Sequence, residues 1–312
     1  MHPAFSVIFF TVSSGIGYGL LGLMGLFAAL GLLPLERWLG VVGLGVGFAA
    51  VSAGLLSSTF HLGHPERAWR AFTQWRSSWL SREGVAAVAT FAPIALLAYG
   101  WVLGKGAPRL IEIAGILTLV GASVTVYCTA MIYRSLKTVH QWHNALTVPG
   151  YLLLGLAGGA VWLVAILAVL GFGTVLAAQL AGATLIAAWA AKTAYWRYID
   201  TTHSVSTPET ATGLGEFGKV SKFEGPHTSA NYLMKEMGFQ VARMHAAKLR
   251  RYAHVTAFGL PLVLMVVTIF TNSSLIAVVA AISMALGLTI ERWLFFAEAK
   301  HVVSLYYGAQ DA

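Results

Sequence analysis

Residues 1–33 read MHPAFSVIFFTVSSGIGYGLLGLMGLFAALGLL, without one Asp, Glu, Lys or Arg. About 20 apolar residues in a helix span the hydrocarbon core of a bilayer. No Lys or Arg precedes the run, and it is longer than the apolar part of a secretory leader, so a first transmembrane helix is expected rather than a cleaved signal. In lipid every backbone N–H and C=O must be satisfied within the segment or a closed barrel. The run is rich in Gly and Ala and shows no strand alternation, so the expectation is helix.

The rest of the 312 residues follows the same pattern. Charged residues make up 10% of the chain and hydrophobic ones 57%, with mean hydropathy +0.73. Soluble domains carry about 25% charged residues. The expected fold is all-α integral membrane, one membrane domain over 1–312 with eight transmembrane helices. The spans are expected near 5–31, 40–61, 84–104, 110–134, 148–170, 174–197, 253–271 and 274–299. Pro108 and Pro149 suit first helical turns, Thr147 is a candidate N-cap, and Pro93 and Pro261 are expected to kink their helices. Gly43, Gly45, Gly47, Gly158 and Gly159 suit close helix packing. ERWL occurs at 36–39 and 291–294, once in a loop and once in a span, so it marks no repeat.

Of the 20 Lys and Arg, 17 fall in or next to the loops after even-numbered spans; Arg37, Lys105 and Arg109 are the exceptions. The positive-inside tendency then places those loops and both termini in the cytoplasm, in a bacterial inner membrane. The basic pI of about 9.7 is accounted for by this face, meeting lipid headgroups or an acidic partner, without nucleic acid. The loop 198–252 is expected to begin irregularly and to continue as an amphipathic helix. Leu233, Met237, Val241 and Met244 share one stripe there, facing either the membrane surface or a docked subunit.

Cys128 is the sole cysteine, which leaves neither an intrachain disulfide nor ligands for an iron–sulfur cluster. All ten histidines fall on the basic side. Two haems stacked across the bilayer need His at two depths, so that arrangement is not expected; one haem near the basic face stays open, and no other metal site is expected.

Polar residues concentrate in HLGHPERAWRAFTQWRSSWLSREG, residues 61–84, at the edge of the second span. His61 stands where hydrocarbon meets water, and Pro65 stops the helix. An imidazole there can hydrogen-bond a quinone carbonyl and carry its proton, or simply cap a helix end; the residues leave both open. Ser13, Ser14 and Tyr18 lie a few turns inside span one, at depths that suit one cavity, and Trp69 belongs to the interfacial trio Trp69, Trp75 and Trp79. The candidate quinone-binding set is therefore His61, Ser14, Tyr18 and Trp69. Arg67, Arg70, Arg76 and Arg82 suit either lipid phosphates or docking to a partner protein. Span eight ends ERWLFFAEAKHVVSLYYG. Glu291 and Glu298 are seven apart on one face, with His301 a turn further, which suits a proton relay; an ion pair of Glu291 with Arg134 or another basic residue is the alternative.

HLGHPERAWRAF, WRSSWLSREG, the ending of span eight and PAFSVIFFTVSSGIGYG together resemble the membrane-anchor subunits of the dimethyl sulfoxide reductase group of molybdenum enzymes, particularly those of cytoplasm-facing sulfite dehydrogenase complexes. The resemblance covers nearly the whole chain. It implies a haem-free anchor working with a ferredoxin-like iron–sulfur subunit and a molybdopterin catalytic subunit, and exchanging electrons with ubiquinone or menaquinone. It links His61 to quinol chemistry. Anchors of that group carry Ser where this chain has His64, so it gives His64 no role. Sulfite oxidation coupled to quinone reduction is expected, with a dimethyl sulfoxide reductase-type complex oxidising quinol as the alternative; a purely structural anchor, and a secondary transporter, whose midplane charges and internal repeat are not evident here, also stay open.

Overall fold

The computed structural model describes residues 4–61, 64–221, 223–224, 241–307 and 309, with backbone alone at 61, 65 and 241–244. Among these residues there is no strand, and eight helices are long and apolar enough to cross a membrane. The first six are α1 (Phe5–Ala29), α2 (Arg37–Ser57), α3 (Trp79–Val102), α4 (Pro108–Arg134), α5 (Thr147–Val169) and α6 (Val175–Thr201). A short helix α7 (Pro208–Thr212) follows, closed by a capping box between Thr207 and Thr210. The seventh span joins α8 (Val241–Ala253), a π-helical turn (His254–Gly259) and α9 (Leu260–Thr271). The eighth is α10 (Ser274–Ala297).

This is a multi-pass membrane protein with α1 and α5 at its centre. Both are apolar all round, as a helix enclosed by others must be. Helix α1 packs on α2, α4 and α5; α5 packs on α6 and α10; α3 covers α4, and the seventh span covers α6 and α10. Backbones touch where glycines meet. A Cβ on Gly159 would stand 2.1 Å from the Gly19 carbonyl carbon, and one on Gly25 would stand 2.5 Å from the Gly115 oxygen. Gly43 and Gly47 accommodate the side chains of Met24 and Leu21, whereas Gly45 has no neighbour within 4 Å and packs against nothing.

Several sequence expectations change in detail. Thr147 is not an N-cap: it is the first residue of α5, and its hydroxyl donates to the Trp142 carbonyl at 2.7 Å. Asn144 serves the helix start instead, its Oδ1 accepting from the Leu146 N–H at 2.9 Å. Pro261 follows the π turn, a common way to absorb a missing backbone donor within a helix. The helix from Val241 enters span seven directly; Leu233 and Met237 lie outside the described residues, as do the side chains of Val241 and Met244. Helix α3 starts at Trp79, a turn before the expected position, and so includes Arg82 and Glu83.

Eight crossings place the loops after α2, α4 and α6 and the segment after α10 at one end of the bundle, the basic end.

Candidate functional site

At the basic end α2 closes in a 3-10 turn, Ser58–His61. The turn is tied to the start of α1, where the Ser57 hydroxyl donates to the Ser6 carbonyl at 3.1 Å. The backbone of His61 is thereby held beside the first turns of α1; its side chain lies outside the described residues. A second 3-10 segment, Pro65–Phe72, follows. His64 is exposed there, and its Nδ1 stands 3.0 Å from Glu66 Oε1.

Helix α1 separates two kinds of space. On one side an apolar groove of about 490 Å³ runs between α1, α2 and α10, from Phe5 and Phe9 at the basic end to Leu20 and Trp162. Ser13 faces this groove and donates to the Ala50 carbonyl at 2.7 Å. On the other side are two small chambers. Ser14 lines one of about 20 Å³ with Thr11, Thr129, Tyr151 and Arg292. Tyr18 lines the next, about 40 Å³, with Gly22, Ser123 and Val126. Val126 and Gly155 border both. The hydroxyls of Tyr18 and Tyr151 are buried, the first beside Thr125 and the second beside Arg292. Trp69 stands apart from Ser14 and Tyr18: it is 62% exposed on the Pro65–Phe72 segment.

Charge is buried around these chambers. Glu83 on α3 accepts a hydrogen bond from Thr129, whose hydroxyl also donates to the Thr125 carbonyl at 3.1 Å. Glu291 on α10 sits between two cations, with Oε1 2.5 Å from Lys192 Nζ and Oε2 3.0 Å from Arg292 Nε. All three side chains are within 5% of full burial. The partner of Glu291 is thus Lys192 of α6 together with its own neighbour Arg292, not Arg134. The Arg292 guanidinium rests 3.8 Å over the Tyr151 ring, and Lys192 Nζ lies 3.9 Å from the Tyr195 ring centre, which lessens the cost of burying cations.

Towards the basic end a polar vestibule of about 280 Å³ opens between α6, α8 and the end of α10. Arg250 holds Glu298 there at 2.9 Å and grips Asp200 with two bonds of 2.7 and 3.0 Å. Burial pushes the Glu298 carboxyl up, against the opposing pull of Arg250. Its Oε2 makes no hydrogen bond among the described residues. His140 borders the vestibule and meets the Thr202 hydroxyl at 2.9 Å. Burial, then His203 and His143, lower its pKa. His301 does not share a helix face with Glu291, because α10 ends at Ala297. It lies past that end, its Nδ1 accepts from the Val303 N–H at 3.1 Å, and burial lowers its pKa.

The four arginines divide. Arg67, Arg70 and Arg76 are exposed, with Arg70 and Arg76 lying on the rings of Trp69 and Trp75. Arg82 turns inward. It lies 4.2 Å from the Trp79 ring centre and donates to the carbonyls of Trp75 and Arg76 at 3.0 and 2.7 Å, so it shapes the loop.

Sequence reasoning passed over Glu83, Lys192 and Arg292. The available signal was their type: a charge within an apolar span is a functional position by default. Each lies near the basic end of its span, where it reads equally well as a residue snorkelling to the headgroups.

Known proteins share this sequence pattern over its whole length. The family model for the DMSO reductase anchor subunit (DmsC) matches residues 1–308. A subunit of the sulfite dehydrogenase of Allochromatium vinosum is 35% identical over 98% of this protein and 99% of its own length. A component of the anaerobic dimethyl sulfoxide reductase of Escherichia coli is 32% identical over 34% of this protein and 37% of its own length. Eight apolar helices and a family match over almost every residue agree, and the chain belongs to the DMSO reductase anchor subunit (DmsC) family.

Proposed function

We propose that this anchor exchanges electrons between an iron–sulfur partner subunit and membrane quinone, within a complex that oxidises sulfite through a molybdopterin subunit. The observation that carries the reading is the apolar groove along α1, which begins beside the turn bearing His61 and has polar chambers behind it. The groove fits an isoprenoid tail in size and lining, and the buried hydroxyls of Tyr18 and Tyr151 are the kind of group a quinone site uses. Quinone supplies a two-electron, two-proton carrier. In this reading His61 hydrogen-bonds the quinone carbonyl and holds the proton, while Ser14, Tyr18 and Glu83 line or border the space behind the groove. Glu298 and His301 serve as the proton relay at the basic end, with Glu291 at its inner limit, and Trp69 lies on the exposed Pro65–Phe72 segment rather than in the chambers.

Arg67, Arg70 and Arg76, with the 198–252 loop, form the docking surface for the iron–sulfur subunit. The basic end is the cytoplasmic one, as the Lys and Arg bias favours, so electrons and protons enter from the same side. Sulfite is favoured over dimethyl sulfoxide by the reach of the two similarities, 98% of the sequence against 34%. The test is to co-produce this protein with its partner subunits, place the complex in quinone-loaded liposomes and add sulfite. Quinone reduction is expected. Sulfite oxidation with a soluble acceptor but none with quinone would reduce its role to structural anchoring.

A further inference from the structure

The relay has a gap: Glu291 pairs through Oε1 with Lys192 and through Oε2 with Arg292, and it does not border the chamber at Ser14 and Thr129. Arg292 cannot release a proton. Of the two cations, Lys192 alone carries an exchangeable proton. We propose that Lys192 is the proton carrier linking the vestibule to the chamber at Ser14 and Thr129, an inference that rests on the quinone reading above.

On its inner side Lys192 borders polar space. A cavity of about 10 Å³ is bordered by Lys192, Glu291, Tyr151 and Arg292, and the 20 Å³ chamber beyond is again bordered by Tyr151 and Arg292. A space of roughly 10–15 Å³ with two or more polar partners suffices for one water. The buried Tyr151 hydroxyl, beside Arg292, stands between the two. Towards the basic end, Lys192 lies 4.8 Å from the Trp196 ring centre and Arg250 lies 5.6 Å from it, with Arg250 holding Glu298 at the vestibule. Lys192 gives its Nζ proton towards Tyr151 and regains one from the vestibule through Glu298. Glu291 and the Tyr195 ring keep the amine in place throughout. The cluster swings between net charge +1 and 0, never to an isolated buried anion.

The experiment uses the full complex in quinone-loaded liposomes and reads sulfite oxidation with quinone and with a soluble acceptor. Lys192→Arg keeps the charge and the pairing with Glu291 but cannot release a proton. The expected result is an assembled complex with soluble-acceptor activity within about two-fold of wild type. Quinone-linked turnover falls roughly 10²-fold, with a larger solvent deuterium effect, the size expected for a lost acid–base group. Quinone-linked turnover within two-fold of wild type overturns the proposal, since charge pairing alone then accounts for Lys192. If Lys192→Arg does not assemble, Tyr151→Phe decides: it keeps the ring under Arg292 and removes only the hydroxyl. A fall of tenfold or more supports the route, and unchanged turnover overturns it. His61→Ala separates the two levels. Quinone turnover lost there but kept in Lys192→Arg defeats this inference alone, whereas turnover kept in both defeats the quinone site as drawn.

Discussion

Lys192 Nζ and Glu291 Oε1 lie 2.5 Å apart, joining the sixth and eighth spans where neither side chain reaches solvent. Removing one partner of a buried pair costs about 3–5 kcal/mol, because the other charge is stranded. The triad with Arg292 makes the cost depend on which partner goes. Lys192→Met leaves a neutral Glu291–Arg292 pair, whereas Glu291→Gln leaves two cations facing each other. Glu291→Gln is therefore expected to lower the thermal midpoint in detergent well below that of Lys192→Met. The reverse order would mean that Lys192 is neutral in the folded protein.

Arg67 and Arg70 are exposed, while Arg82 is spent on the carbonyls of its own loop. Charge pairs at a rim guide docking more than they add affinity. Arg67→Glu with Arg70→Glu is expected to slow association with the iron–sulfur subunit, with a smaller salt dependence than wild type, and to leave the anchor's melting unchanged. Arg82→Ala is expected to lower the melting temperature of the anchor itself. Surface binding kinetics at several salt concentrations, beside melting curves, check both. Equal behaviour of the two variants would contradict the division.

His140 gives the basic end a pH dependence of known sign. Burial and the neighbouring histidines hold its pKa below the ordinary 6.5. The stability this lends is present above that value and is lost as pH falls through the lowered one, when the ring must charge. Melting temperature is expected to decline below about pH 6.5, and to decline less in His140→Gln, which keeps a polar group for the Thr202 hydroxyl. Parallel curves for the two proteins would remove His140 as a cause.

The eight helices were legible because lipid leaves so few choices: the uncharged runs must cross, and crossing runs must be helices. Glycine contacts were half legible, since sequence shows the missing side chain but not the neighbour, and Gly45 and Gly47 differ only in which way they face. The candidate site was legible as residue types, not as contacts. His61, Ser14, Tyr18 and Glu291 stood out by type and depth, but the pairing of Glu291 with Lys192 joins helices that no local spacing relates. Likewise the partner of Glu83 is a threonine on another helix, and a lone threonine in an apolar run carries no visible signal.

The central claim is that this protein delivers electrons to quinone at the His61 end of the groove. The most direct measurement is the pair of assays on one His61→Ala preparation of the complex. Assembly and turnover with a soluble acceptor are expected to survive, because an interfacial side chain adds little to packing and that path bypasses the membrane. Quinone-linked turnover is expected to fall by roughly 10²-fold or more, the lower range for a general acid–base group. Equal retention of both activities would contradict the account and leave His61 as a helix-end residue.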